Sequence, residues 1–267
     1  DEMRGLAQSG AREQILIAQD TSRYGRDLKN ASLARLLDEA SRIPGIDWLR
    51  VLYCYPDETD EALIDLMARR PNICKYLDLP LQHASPRLLR AMNRRGSIDK
   101  TRHLLRYARD KGFALRTTVI AGFPGETQED FDLLTDFIRD IRFDRLGAFA
   151  FSPEENTPAE KMPDQVPEEV KKARLEAVMQ LQAGISLERN RGRIGREELV
   201  LVTGEDKGRF TARSQWEAPD SDGIIRLDAC RPLAPGDMVP ARITGAGTYD
   251  LEAREIEDRG NAHESAQ

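Results

Sequence analysis

The chain has 267 residues, 40% of them hydrophobic and 32% charged, with a formal net charge of −6. That length allows one large domain or two smaller ones with a substantial core, and the acidic balance excludes a surface coated all over by nucleic acid, though not a local basic face. The three cysteines, Cys54, Cys74 and Cys230, form neither a CxxC motif nor a disulfide framework, and no run reads as a membrane span or signal peptide, so reduced thiols in a cytoplasmic protein are expected.

Five short apolar runs punctuate the first two-thirds: Gln14–Ala18, Trp48–Tyr53, Tyr76–Leu79, Leu115–Ala121 and Leu146–Phe151. Each is bounded by turn residues and reads as a strand. Helical stripes lie between them. Leu33, Leu36, Leu37 and Ala40 share a face, as do Ala62, Leu63, Leu66 and Met67. A helix is expected from Ser97 to Gly112, with Leu104, Leu105 and Ala108 inward, and another carries Phe131, Leu134, Ile138 and Ile141. Strands spaced by helices imply a parallel sheet with right-handed crossovers, and five such units suggest an open or closed α/β barrel. Pro153–Pro167 is a connector, and a long helix follows to about Arg191. After Gly195 the character changes. Glu198–Thr203, Phe210–Arg213, Ile224–Leu227, Met238–Ile243 and Tyr249–Glu255 read as strands of a small all-β barrel, with a turn at Pro235-Gly236-Asp237. The expected domains are 1–192, 193–258 and a disordered tail over 259–267.

The densest signal is Thr118-Val-Ile-Ala-Gly-Phe-Pro-Gly-Glu-Thr127. It reads as a strand covered on both faces that ends in a Gly/Pro turn and opens into a helix, with Thr127 and Asp130 as its cap. Gly122 and Gly125 would let the backbone turn sharply and a ligand approach closely. Either a bare strand-to-helix connection or a ligand site fits this pattern. Other polar residues stand at strand ends: Gln19 and Asp20, Gln82 and His83, Arg116 and Thr118, and Glu126. In a parallel barrel such ends converge on one face. His83 as a general base would need a partner the sequence does not identify. A basic run (Arg90, Arg94, Arg95, Lys100, Arg102, Arg106, Arg109, Lys111) and a second one (Arg189, Arg191, Arg193, Arg196) read as solvated faces or as contacts for a ribosomal or RNA surface.

The segments 16–25, 79–85, 92–96 and 151–159, with the glycine turn at 118–127, together carry a resemblance to one family, the radical S-adenosylmethionine methylthiotransferases. Leu16-Ile-Ala-Gln-Asp-Thr-Ser-Arg-Tyr-Gly25 resembles their second-strand segment. Leu79-Pro-Leu-Gln-His-Ala-Ser85, with Met92-Asn-Arg-Arg-Gly96, resembles the fourth. The glycine turn resembles the fifth, Phe151-Ser-Pro-Glu-Glu-Asn-Thr-Pro-Ala159 the sixth, and the β module their TRAM domain. His83-Ala84 in place of Ser-Gly, together with Arg213-Ser214, Ala218-Pro219 and Asp222-Gly223, favours the branch that modifies a ribosomal protein over the branch that modifies tRNA.

The resemblance implies a partial parallel (β/α) barrel of radical-SAM type followed by a TRAM-like β-barrel. It implies a methylthio transfer to the β-carbon of an aspartate in small-subunit ribosomal protein twelve. S-adenosylmethionine would be cleaved by a 4Fe-4S cluster to a 5′-deoxyadenosyl radical, with a second cluster delivering the methylthio group. Gln19, Asp20, Gln82, Arg116, Thr118 and Gly122 are the residues it points to for the S-adenosylmethionine pocket. The TRAM-like module, with the basic helices, would hold the ribosomal partner; no membrane is implied, and nucleic acid is secondary. The family's CxxxCxxC loop and its amino-terminal cysteine domain have no counterpart in these residues. The expectation is therefore a fragment that alone binds no cluster and is inactive, with an unpaired strand edge that favours aggregation or dimerisation. The alternatives are a tRNA methylthiotransferase of the same family, a non-enzymatic ribosome- or RNA-binding remnant, and an unrelated barrel enzyme that uses His83.

Overall fold

The computed structural model describes residues 1–94 and 96–257. It divides into two compact units, Asp1–Ser186 and the residues from Leu187 onward. The expected tail over 259–267, His263 and Arg95 lie outside the described residues.

The first unit runs α1 (Glu2–Gln8), β1 (Glu13–Leu16), a 3-10 turn (Thr21–Arg23), α2 (Leu33–Ala40), β2 (Trp48–Val51), α3 (Glu61–Arg69), β3 (Tyr76–Asp78), α4 (Pro86–Ala91), α5 (Ile98–Asp110), β4 (Ala114–Ala121), α6 (Gln128–Ile141) and β5 (Arg145–Ala150). Each helix carries the chain back to the same end of the sheet, so the strands pair in parallel. Glu13 lies opposite Trp48, Asp78 opposite Arg116, and Thr118 opposite Gly147. A parallel bridge between Leu49 and Ile73 links the β1–β2 pair to the β3–β4–β5 sheet. Among the described residues β1 pairs only with β2.

The helices bury their stripes on one face of this sheet. Leu37 of α2, Ile64 of α3, Leu105 of α5, and Leu134 and Ile138 of α6 are fully buried against Leu49, Leu77, Leu115 and Val119 of the strands. Side-chain caps fix where the helices begin. Ser32, Asp60 and Ser85 accept the backbone N–H three residues on, and Thr127 with Asp130 forms a reciprocal capping box. Such caps contribute about 1 kcal/mol each.

β4 corrects one expectation. Its burial alternates: Leu115, Thr117, Val119 and Ala121 are buried, while Arg116, Thr118 and Ile120 are half-buried. One face packs on helices and the other stays open, so Ile120 is not covered on both sides. β2 also ends earlier than its apolar run, because Tyr53 leaves the strand with φ +58°.

A helix α7 (Glu168–Arg191) follows the connector. The second unit is a closed barrel of five strands, β6 (Glu197–Asp206), β7 (Arg209–Ser214), β8 (Ile225–Asp228), β9 (Met238–Ala246) and β10 (Leu251–Glu255), in the order β10-β8-β7-β6-β9. Val200, Val202, Ala212, Ile225, Leu227, Val239, Ala241, Ile243, Leu251 and Ala253 fill its interior. Closure leaves no strand edge exposed. No helix among the described residues is long and apolar enough to cross a membrane.

Candidate functional site

The open face of the first unit is polar at its base. Arg50 is fully buried there and pairs with Glu13 at 2.7 Å, its guanidinium 4.9 Å from the Tyr76 ring centre. One step along, Asp78 is fully buried. Its Oδ1 accepts from Arg116 Nη1 at 3.0 Å and its Oδ2 from the Tyr53 backbone N–H at 2.9 Å. That second bond holds Tyr53 in the left-handed region, which a bulky side chain rarely enters. Toward the carboxyl ends the face becomes apolar and open. Ile120 lies beside Phe149, which is 61% exposed, and Gly147 lies opposite Thr118. A Cβ on Gly147 would stand 3.8 Å from the Phe149 ring and 3.9 Å from Thr118 Oγ1, so its absence deepens the face between them.

The six expected site residues fall into three places. Gln82 also has a left-handed backbone (φ +69°). It clasps β4 by donating its N–H to the Thr118 carbonyl and accepting from Ile120 N–H, both at 2.8 Å. Gln82, Arg116 and Thr118 thus come together on the open face. Gln19 is exposed, and Asp20 is half-buried with its Oδ1 accepting from Ser22 Oγ at 2.5 Å. Those two line a separate cleft of about 470 Å³, which none of the other four reaches. Gly122 is occupied differently from the expectation. Its N–H donates to Glu126 Oε2 at 2.9 Å, and a Cβ there would lie 2.3 Å from Lys171 Cγ. The space beside this glycine is filled by lysine rather than left open for a ligand.

The same turn accounts for Glu126 and His83. Glu126 is buried, with Arg174 Nη1 donating to its Oε1 at 2.7 Å. His83 is buried too. Its Nδ1 accepts from Ser85 N–H at 3.0 Å, and its Nε2 lies 3.3 Å from Glu126 Oε2. Both groups are closed off inside the fold, so His83 is not placed to take a proton from a substrate. Nearby, Asp130 receives Ser85 Oγ at 2.5 Å, the Thr127 N–H at 3.0 Å and Arg87. Burial alone would raise its carboxyl pKa; the bonds from Ser85, Thr127 and Arg87 outweigh that and bring it down to about 2.

The cysteines do not form a ligand set. Burial, followed by the charges of Asp78 and Asp20, pushes the Cys54 thiol up to about 12. Cys74 is buried, and Cys230, in the second unit, donates to Glu255, which raises its pKa. Among the described residues no three His, Cys, Asp or Glu side chains are grouped to hold a metal.

Half of the first basic run, its part on α5 and just after, is neutralised. Arg102 and Arg106 pair with Asp140, Arg109 with Asp144, and Lys111 with Asp65, at 2.6–3.0 Å. These pairs tie α5 to its neighbours. In the second run, Arg193 is buried against Glu198 and Glu217 while Arg193 and Arg196 flank Trp216.

A parallel α/β sheet with one open polar face is a shape shared by many enzymes, and comparison with known proteins decides among them. Residues 1–138 match the family model of the Radical SAM superfamily. The chain belongs to that superfamily. Residues 194–256 match the TRAM domain, so the closed barrel has its own assignment. Three similar curated proteins are each described as "Ribosomal protein uS12 methylthiotransferase RimO". That of Desulforudis audaxviator is 49% identical over 95% of this chain and 57% of its own length. That of Geobacter sulfurreducens is 47% identical over 94% and 57%, and that of Heliobacterium modesticaldum 46% over 97% and 57%. The radical SAM chain therefore spans little more than half the length of these relatives. Among solved structures, the Escherichia coli radical SAM enzyme HemN aligns over 79% of this chain and 50% of its own, with 16% identity and a TM-score of 0.48. Kitasatospora setae TsrM aligns over 56% and 28%, with 23% identity and a TM-score of 0.47.

The radical SAM open face suits a nucleoside sulfonium ligand. It offers a paired arginine and aspartate, a threonine, and an uncovered aromatic wall at the strand ends. The described residues do not suit an iron–sulfur cluster, which needs accessible thiolates. Reasoning from sequence missed Tyr53, Asp78 and Phe149. Asp78 had a signal, a lone carboxylate inside an apolar strand; Tyr53 had none, because its meaning lies in the backbone angle.

Proposed function

We propose that the chain is the S-adenosylmethionine-binding and substrate-docking part of a methylthiotransferase for ribosomal protein uS12. The observation that carries this reading is 44–49% identity across about 95% of the chain to the uS12 enzymes named RimO. S-adenosylmethionine would supply the hydrogen-abstracting radical and the methyl group once bound, and the sulfur would come from another donor. Gln82, Arg116 and Thr118 would orient it at the strand ends, Asp78 would hold Arg116 in place, and Ile120 with Phe149 would keep water from its flank. Gln19 and Asp20 would border it from the end of β1. Gly122 contributes the turn and not a contact.

A protein partner is favoured over RNA by the second unit's charge. Residues 187–257 contain 14 acidic and 11 basic side chains. Several arginines are already paired: Arg209 with Asp228, Arg226 with Asp206, Arg231 with Glu255, and Arg242 with Glu197. Tight binding to a phosphate backbone needs unpaired cations; a basic ribosomal protein needs acidic neighbours. The cytoplasm, where ribosomes are, is the matching compartment. The test is mass spectrometry of uS12 and of tRNA after anaerobic incubation with the protein carrying this chain and reconstituted clusters. A methylthio mass increase on a uS12 aspartate supports the reading, and modification of tRNA alone would assign the chain to the other branch.

A further inference from the structure

The cleft beside Gln19 and Asp20 gathers charges of both signs. Arg23, Arg26, Tyr55, Asp57, Glu58 and Arg94 complete most of its lining. Arg26 is paired with Glu58. Arg23 and Arg94 have no carboxylate partner among the described residues, whereas all three arginines of α5 are paired. Arg94 instead stacks on Tyr55, its guanidinium carbon 4.5 Å from the ring centre. Stacking fixes the guanidinium plane and leaves its N–H edge free, the arrangement that accepts a carboxylate in bidentate fashion. Asp57 likewise has no cationic partner among the described residues.

We propose that this cleft receives an aspartyl segment of the protein substrate. Arg23 and Arg94 take its side-chain carboxylate, and Asp57 takes a basic residue next to it. The carboxylate site rests on the two arginines alone; the aspartyl protein substrate and the adjoining cofactor rest on the function proposed above. At about 470 Å³ the cleft has the size of a small-ligand site, roughly 300–1,000 Å³, enough for a few side chains of an extended loop. Its arginines are balanced by Asp20, Asp57 and Glu58, so a phosphodiester chain would meet carboxylates. Its position fits as well. A group transferred to a side chain must travel from cofactor to substrate by contact, so the substrate site must share a wall with the cofactor pocket. Gln19 and Asp20, which the function proposed above sets at the border of the cofactor, would be that shared wall.

The test is binding to the full chain, followed by the arginine side-chain N–H signals in 15N-labelled protein. The probes are blocked Asp-Arg, blocked Asp-Ala and blocked Asn-Arg dipeptides, and free aspartate. Blocked Asp-Arg is expected to shift the Arg23 and Arg94 signals, with Asp-Ala several-fold weaker and Asn-Arg at least tenfold weaker. Arg23→Gln and Arg94→Gln are each expected to weaken Asp-Arg binding about tenfold. Asp57→Asn should erase the preference for Asp-Arg over Asp-Ala. Arg90→Gln, on an exposed residue of α4 outside the cleft, should leave binding unchanged. Equal binding of Asp-Arg and Asn-Arg, or equal loss in Arg90→Gln, overturns the site. Free aspartate binding as tightly as the blocked dipeptide overturns the peptide assignment in favour of a small zwitterion. A uS12 arm separates the two readings. If the dipeptide binds and uS12 does not, the cleft stands and the assigned partner falls. If uS12 binds and the arginine variants make no difference, the partner stands and the cleft falls.

Discussion

Replacing Gly122 with alanine separates a structural glycine from a ligand-contacting one. Two costs add. The backbone sits at φ +77°, where an L side chain costs about 1–2 kcal/mol. The new Cβ would stand 2.3 Å from Lys171 Cγ, 3.1 Å from its Cβ and 3.3 Å from its Cα. Lys171 is buried, so its stem has little room to withdraw, and overpacking of this kind costs about 1–3 kcal/mol. Gly122→Ala should therefore lose about 2–5 kcal/mol, or about 4–20 °C in the midpoint of the first unit. Urea unfolding followed by Trp48 fluorescence, in a Trp216→Phe background, reads this loss from the first unit alone. The diagnostic step is Lys171→Ala. It removes the contact with Cγ but leaves those with Cβ and Cα and the backbone strain, so the glycine substitution should then cost about 1–2 kcal/mol less than in the parent, the difference appearing as coupling in the double-mutant cycle. The ion pair that Lys171 makes with Glu168, which is 82% exposed, is worth little and does not disturb the comparison. A Gly122→Ala protein within 0.5 kcal/mol of the parent, or a cost unchanged by Lys171→Ala, would refute the packing argument.

Asp130→Asn should destabilise by about 1–2 kcal/mol at neutral pH, because the native carboxyl sits at about 2 against an ordinary 3.8. That stabilisation is complete above the ordinary value and lost as pH falls through the native one, so urea midpoints of parent and variant should converge from pH 5 toward pH 2. Arg50→Met should cost about 3–5 kcal/mol by stranding buried Glu13, and adding Glu13→Leu should recover most of it in the same denaturation assay. An aromatic disulfide reagent should label Cys230 in the native chain and reach Cys54 and Cys74 only after unfolding; rapid native labelling of Cys54 would contradict its burial.

The strand order was legible because apolar runs alternate with helical stripes, and that alternation leaves parallel pairing as the short route. The cap at Thr127 and Asp130 was legible for the same local reason. The two-sided character of β4 was not. Val119 and Ile120 are equally apolar, and only the register against β5 puts one under helices and the other beside Phe149. The pairing of the basic run was not legible, because charge along one helix says nothing about the carboxylates facing it, and Asp140 and Asp144 lie more than 30 positions away in sequence. Of the six expected site residues, Gln82, Arg116 and Thr118 meet through backbone clasp and sheet register. Gly122 departs because a positive φ serves a turn as readily as a ligand.

Asn190 bears on how proteins of this kind exchange parts. Its side-chain amide donates to the carbonyls of Gly247 and Thr248, both at 3.1 Å, and of Tyr249 at 3.4 Å, and Arg193 ties Glu198 to Glu217 inside the same unit. Both residues precede position 194, where the TRAM match begins. A graft cut at that border would carry five strands but strand two buried carboxylates and the loop between β9 and β10. The heritable piece is longer than its signature: the barrel must travel with the last turn of the helix before it.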